Sequence, residues 1–212
     1  MINFKIAKRD MVENQIRKRG ITNRDILNAF RKVDRHLFVK AENLKQAYED
    51  YSLPIGDGQT ISQPYITALM TELLYPSKNE IILEVGTGSG YQSAILAHLA
   101  KFVVTVEIKK ELAERAKRLL KSLDISNVTV MIGNGKVGWN EKAPYDAIIV
   151  TAGAEEIPNS LIDQLKVGGR MVIPIGKNGN HKLNLVLRED NKVIIKEIID
   201  CSFVPMIERF DG

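Results

Sequence analysis

The sequence predicts an α/β fold: a doubly wound, mostly parallel seven-stranded sheet with an N-terminal helical cap and a C-terminal antiparallel hairpin. Three observations predict it. From residue 80 onward, short apolar runs alternate with stretches of helical periodicity, the pattern of strands buried on both faces. The first run ends in a glycine-rich turn that leads straight into a helix. The last two runs, 183–187 and 193–199, flank Asp190-Asn191, which reads as the turn of a hairpin.

Taken in order, Val12 and Ile16 indicate a first helix that ends near Gly20. Thr22 followed by Asp25 reads as a capping box for a second, whose Ile26, Leu27, Phe30 and Val33 recur at helical spacing. Residues 53–64 are rich in Gly, Pro and polar side chains and read as a long shaped loop, a kind of segment that often carries function. Pro64 suits the first turn of the next helix, with Tyr65, Leu69 and Leu73 on one face and Pro76 closing it. Strands are expected at 81–85, 102–107, 128–132, 147–150 and 170–174, and helices at 92–99, 110–123 and 159–165. The whole chain is read as one domain, with cap and loop in 1–78 and the ligand-binding α/β core in 79–212.

A chain of 212 residues that is 44% hydrophobic can bury one sizeable core. No apolar run reaches membrane-spanning length and the N-terminus lacks a secretory layout, so a soluble, cytoplasmic protein with no membrane partner is expected. Cys201 is the only cysteine, which excludes an internal disulfide and a cysteine metal cluster. His36, His98 and His181 lack ligand spacing, and no metal is expected. The net charge of +4 is compatible with nucleic acid but also ordinary. The basic cluster Lys5, Lys8, Arg9, Arg17, Lys18 and Arg19 contains Asp10 and Glu13 and no interleaved aromatic residue. It is read as a solvated helix face, with no nucleic-acid partner; the expected state is a monomer.

The chemistry concentrates at Glu84-Val85-Gly86-Thr87-Gly88-Ser89-Gly90-Tyr91. This turn leaves the carboxyl end of the first sheet strand, where open α/β folds bind ligands. Its glycines let the backbone approach a ligand closely. A dinucleotide fingerprint would place a third glycine three positions after the second, and position 91 is Tyr; no Lys-Ser or Lys-Thr follows as in a nucleotide P-loop. The spacing points to a ligand without a pyrophosphate. Glu107 ends the second strand about twenty residues after the first glycine, where a carboxylate accepts from both ribose hydroxyls. Together these features favour S-adenosylmethionine. Asn134, in Gly133-Asn134-Gly135, is either a partner for the adenine edge or an ordinary turn residue.

The chain then resembles a known family, the protein-L-isoaspartate (D-aspartate) O-methyltransferases. The resemblance is carried by Gln59-Thr60-Ile61-Ser62-Gln63-Pro64, by Leu83 to Tyr91, by Gly168-Gly169-Arg170-Met171-Val172-Ile173-Pro174 and by Phe203-Val204-Pro205. Arg35-His36-Leu37-Phe38-Val39 and Ala47-Tyr48 match its N-terminal signature. It implies that Ser62 is catalytic, close to the substrate carboxylate, and that Gly86, Thr87, Gly88, Ser89 and Glu107 lie against the cofactor. The expected cofactor set also includes Thr60, Ile61, Glu84, Ile108, Asn134, Gly135 and Thr151, and the expected substrate set Ser62, Val204 and Pro205. Asn134 departs from the family pattern, in which an Asp is usual before the glycine.

The implied substrates are isoaspartyl residues, and D-aspartyl ones, in damaged peptides and unfolded protein segments. Such a carboxylate, with a reference pKa of about 4, is already an anion at neutral pH, so alignment and partial removal of water should matter more than a base. The resulting ester has a better leaving group than the free acid, and the neighbouring backbone nitrogen then expels it as methanol and closes a succinimide. Residues 55–64 and 203–206 are expected to form the two walls of a peptide groove, with core packing the alternative for Phe203 and Val204. Two rivals stand beside this reading. An RNA methyltransferase would carry a polar-aromatic motif after the fourth strand, where Thr151-Ala152-Gly153-Ala154 stands instead. A non-enzymatic binding module would have lost the intact turn and Glu107.

Overall fold

The computed structural model describes residues 3–207. One seven-stranded sheet has the order β5-β4-β3-β6-β7-β8-β9. Its members are β3 (Ile81–Val85), β4 (Phe102–Glu107), β5 (Val128–Ile132), β6 (Tyr145–Val150), β7 (Leu165–Lys177), β8 (Asn180–Arg188) and β9 (Val193–Cys201). The first five run parallel, and β8 and β9 are antiparallel to their neighbours. The chain turns from β3 toward β4 on one side and returns through β6 on the other. The carboxyl ends of β3 and β6 therefore flank the switch point where such sheets open a crevice. Helices α4 (Tyr91–Ala97), α5 (Lys110–Ser122) and α6 (Asn159–Asp163) fill the crossovers.

Strand ends differ from the expectation where apolarity is not what sets them. β7 begins five residues earlier than 170 because Leu165 already pairs with Tyr145, across an irregularity before Ala147 meets Arg170. That early start leaves α6 only five residues, short of the expected 159–165. The hairpin of β8 and β9 forms at the expected turn, closed by Glu189 N–H donating to the Lys192 carbonyl.

The cap begins with α1 (Phe4–Asp10), which continues through a wide turn at Met11–Ile16 and a tight one at Arg17–Arg19, and stops at Gly20, whose φ of +100° no other residue adopts easily. α2 (Arg24–Lys32) starts one residue later than the capping box predicts. Asn23, not Thr22, is the N-cap: its side-chain oxygen accepts from the amides of Asp25 (2.9 Å) and Ile26 (3.3 Å). The Thr22 amide instead donates to Glu72.

Residues 53–64 are not an irregular loop. Leu53–Gly56 (β1) and Gln59–Ile61 (β2) form an antiparallel hairpin around Asp57-Gly58, with Leu53, Ile55 and Ile61 buried. Its alternation spans too few residues to stand out among glycine and proline. α3 (Pro64–Leu74) starts at the expected proline, but its buried face is Thr67, Ala68, Met70, Thr71 and Leu74 rather than Tyr65, Leu69 and Leu73, which are half-buried. The threonines tolerate burial because each hydroxyl donates to the carbonyl four residues back, Thr67 to Gln63 and Thr71 to Thr67. The helix ends at Tyr75, in the left-handed region at φ +47°, before Pro76 is reached.

One hydrophobic cluster joins the cap to the sheet: Met11, Ile16, Phe30, Phe38, Leu53 and Ile61 pack with Tyr91 and Ile95 of α4 and Leu112 and Leu120 of α5. The cap thus sits over the helix that follows the glycine turn. Because Asn23 satisfies two orphan amides of α2, Asn23→Ala should lower stability by about 1 kcal/mol. A lower urea midpoint with an unchanged circular dichroism spectrum is the expected result.

Candidate active site

The glycine turn is locked on three sides. Thr151, just past β6, donates its hydroxyl to the carbonyl of Gly86 at 2.6 Å, and its amide donates to Val85. Gly86 has φ +95°, and a Cβ there would stand 2.5 Å from the Thr151 hydroxyl. At the far end Gly90 has φ +85°, and a Cβ would press on Ala116 of α5 at 3.2 Å. Between them, the Gly88 amide donates to Glu107 at 2.7 Å. The other Glu107 oxygen accepts from the Lys109 amide at 3.0 Å. The Thr87 and Thr105 hydroxyls bond at 2.7 Å beneath the turn.

A cleft opens above it at the carboxyl edge of the sheet. One part runs along Gly86, Gly88, Glu107, Ile108, Gly135 and Thr151. A second part is lined by Ile61, Ser62, Thr87, Ser89, Tyr91 and Gln92. Thr60, Gly86, Gly88 and Thr151 line both parts, so the two are continuous. The outer wall is the segment from Val204 to Ile207, held by an isolated parallel bridge to Gly153: the Gly153 amide donates to the Val204 carbonyl and the Met206 amide to the Gly153 carbonyl.

Of the residues singled out from the sequence, Thr60, Ile61, Ser62, Gly86, Thr87, Gly88, Ser89, Glu107, Ile108, Gly135, Thr151, Val204 and Pro205 meet in this cleft. Two do not. Glu84 is fully buried under the turn, where it accepts a short hydrogen bond from Ser93 of α4; it braces the loop from below and lines neither part. Asn134 caps the tight turn Gly135–Val137, its side-chain oxygen accepting from the Lys136 amide at 2.9 Å, and does not line the cleft. Of the expected wall, Phe203 turns away to pack on the core cluster around Leu183 and Val172. Met70, Gln92 and Ala152 line the cleft without having been singled out. Ala152 was reachable by the same strand-end rule that found Thr151, whereas Met70 and Gln92 depend on how helices lie on the sheet.

The donor set fits S-adenosylmethionine. The Glu107 carboxylate uses one lone pair on each oxygen for the backbone and keeps the others for hydroxyls. The turn is kept clear of side-chain bulk at Gly86, and Gly135 is required because a Cβ would collide with Val85 at 2.4 Å.

This sheet order, with a glycine turn at the switch point and an acidic residue ending the neighbouring strand, defines an S-adenosylmethionine-dependent methyltransferase. Residues 6–211 match the profile of protein-L-isoaspartate(D-aspartate) O-methyltransferases, and the chain belongs to that family. It is 50% identical over 210 residues to the protein-L-isoaspartate O-methyltransferase of Geobacter metallireducens, covering 99% of this chain and 97% of that one. It is 52% identical over 211 residues to protein-L-isoaspartate O-methyltransferase 2 of Geotalea uraniireducens, again covering 99% and 97%. Among solved structures, a protein-L-isoaspartate O-methyltransferase superposes with a TM-score of 0.88 at 31% identity, over 96% of this chain and 67% of that one. A Plasmodium falciparum member in complex with S-adenosyl-L-homocysteine superposes with a TM-score of 0.83 at 27% identity, over 99% and 100%. The cofactor is S-adenosylmethionine, and the activity is methylation of isoaspartyl residues in protein repair. The RNA reading finds no support among these relatives.

Burial pushes the Glu84 carboxyl up to about 8, against the hydrogen bond from Ser93, from an ordinary value of 4.5. At neutral pH it therefore stays protonated and adds no second negative charge beside Glu107. The folded chain holds this proton more tightly than the unfolded chain does. The stabilisation is complete below pH 4.5 and is lost as pH rises toward 8. Glu84→Gln removes this titration. Urea midpoints measured across that window should fall less steeply with pH than in the parent protein; equal slopes would reject the assignment.

Proposed function

We propose that Ser62 is the catalytic residue, orienting the free carboxylate of an isoaspartyl residue in the cleft between the β1–β2 hairpin and Val204-Pro205. The observation that carries this is the state of its side chain. Ser62 lies where the hairpin meets Gly86 and Gly88, and among the described residues its hydroxyl has no hydrogen-bond partner. The role of capping α3 falls to the neighbouring Gln63, which makes no side-chain cap, while the Gln63 amide group donates to the Asp50 carbonyl at 2.8 Å. The hydroxyl is thus free for a substrate oxygen while its backbone is anchored on both sides.

Bound S-adenosylmethionine supplies a methyl group activated by its sulfonium sulfur. Thr60, Ile61, Gly86, Thr87, Gly88, Ser89, Glu107, Ile108, Gly135 and Thr151 would hold it, with Glu107 taking the ribose hydroxyls and Gly135 leaving space for the base. The chain needs no general base, because the substrate carboxylate is already ionised at neutral pH with a reference pKa of about 4. Its contribution is orientation: Ser62 donates to one carboxylate oxygen and leaves the other in line for transfer. The apolar side chains of Ile61, Val204 and Pro205 strip water from the carboxylate and raise its reactivity. The ester then leaves the groove, and ring closure by the backbone nitrogen proceeds without further enzyme groups.

Recognition through a groove with strand-like backbone on its outer wall suits flexible or unfolded segments, whose only shared feature is a misplaced main chain. In this reading the protein works as a monomer in the cytoplasm, independently of nucleic acid and membranes; the single cysteine, which allows no internal disulfide, is compatible with a reducing compartment.

Paired peptides differing only in isoaspartate or aspartate, incubated with labelled S-adenosylmethionine, should give base-labile label on the isoaspartyl peptide alone. Ser62→Ala should reduce kcat/KM for that peptide by about 10- to 100-fold, the cost of one hydrogen bond to a charged group, and leave S-adenosylhomocysteine affinity unchanged. Equal labelling of both peptides, or full turnover in the variant, overturns the reading.

A further inference from the structure

We propose that Arg35 is a positioning residue for the cofactor site and acts through Tyr91. Arg35 opens the tight turn Arg35–Phe38 of the cap and is completely buried. Its Nε donates to the Ala47 carbonyl at 2.8 Å, but among the described residues Nη1 and Nη2 have no hydrogen-bond partner. Its guanidinium carbon stands 5.0 Å from the centroid of the Tyr91 ring, and among the described residues the buried Tyr91 hydroxyl is also without a partner. Burial lowers the guanidinium pKa to about 10, partly offset by Tyr91, Tyr48 and Asp50, which leaves the side chain cationic at neutral pH.

A buried cation whose one well-formed hydrogen bond goes to a neutral carbonyl is a poor source of stability; an apolar side chain of similar size would avoid its desolvation cost. Its contact is therefore best explained by what it holds in place. Tyr91 is the first residue of α4 and closes the glycine turn, with its amide donating to the Ser89 hydroxyl at 3.3 Å. Its ring is gripped edge-on by Phe38 at 5.4 Å and Phe30 at 6.1 Å, and covered by Arg35. The same residue lines the cleft beside Ser62, Ser89 and Gln92. The two phenylalanines hold the ring by edge-on packing. Arg35 adds a directional electrostatic contact that ties it to the backbone at Ala47. The cap thereby sets where the turn's last residues lie, and through them the geometry offered to the cofactor.

This inference rests on the glycine turn being the cofactor site, and S-adenosylhomocysteine titration reads that site without any methyl acceptor. Failure of the isoaspartyl assignment would leave the titration intact. In the full chain, Arg35→Met should unfold at an equal or higher urea concentration yet bind S-adenosylhomocysteine about tenfold more weakly, the scale of one desolvated cation–π contact. KM for S-adenosylmethionine should rise by a similar factor, with kcat less affected. Arg35→Lys keeps the charge without the planar face and should recover part of the affinity. In a cycle with Tyr91→Leu, the Arg35→Met effect on affinity should largely disappear. Parent-like affinity in a folded Arg35→Met, or a loss that adds fully to that of Tyr91→Leu, overturns the proposal; so does an affinity loss matched by a loss of stability. If Arg35→Met does not fold, Arg35→Lys decides: parent-like affinity and KM in that variant overturn it.

Discussion

The hydroxyl of Thr151 lies against the carbonyl of Gly86, leaving no space for a Cβ at Gly86, and the site is organised around that contact. Thr151 follows β6 and Gly86 follows β3, so the contact forms only when these two parallel strands pair in register, Val85 beside Val150. At the other end Gly90 is pressed against Ala116 of α5. The turn is thus held at both ends by different crossovers. Glu107 then fastens its middle through the Gly88 amide while keeping lone pairs for a ligand.

Beneath the turn, polar side chains replace the apolar packing usual for a buried strand. Glu84 receives a hydrogen bond from Ser93, and Thr87 pairs with Thr105. Kept neutral by burial, Glu84 serves as a hydrogen-bonded brace and leaves Glu107 as the negative charge above the turn. Above the helix that follows, the cap contributes Phe30, Phe38 and Arg35, all directed at Tyr91. The turn is thus supported from the sheet, from α5 and from the cap. This explains why one hydrophobic cluster runs through the cap and into α4 and α5.

The cleft walls come from two parts of the chain outside the seven-stranded sheet. The β1–β2 hairpin brings Thr60, Ile61 and Ser62 to the turn, and its Ile55 carbonyl is held by Arg115 of α5 at 3.1 Å. The opposite wall, Val204 to Ile207, is fastened to Gly153 through backbone bonds, and Gly153 has no room for a side chain because His181 lies against it. Substrate would therefore meet two walls whose shape is set by main-chain pairing.

The sequence by itself determined the parallel core, the glycine turn, Glu107 as the strand-end acid, the helix start at Pro64 and the turn at Asp190-Asn191. Each of these is a local pattern whose physical cause lies within a few residues, so no distant contact is needed to read it. Resemblance to a family, rather than spacing, singled out Ser62. Tertiary structure alone decided that 53–61 is a hairpin, that Asn23 and not Thr22 caps α2, and that α3 buries its threonines. It also decided that Glu84 is buried against Ser93 beneath the turn, that the Asn134 side chain accepts from the Lys136 amide, and that Arg35 ends up behind Tyr91. For several of these the partner lies outside the local motif: the Thr22 amide turns to Glu72, Ser93 takes Glu84, and Ala47 takes Arg35. A polar side chain's role follows from which distant group satisfies it, and composition and periodicity carry no record of that choice.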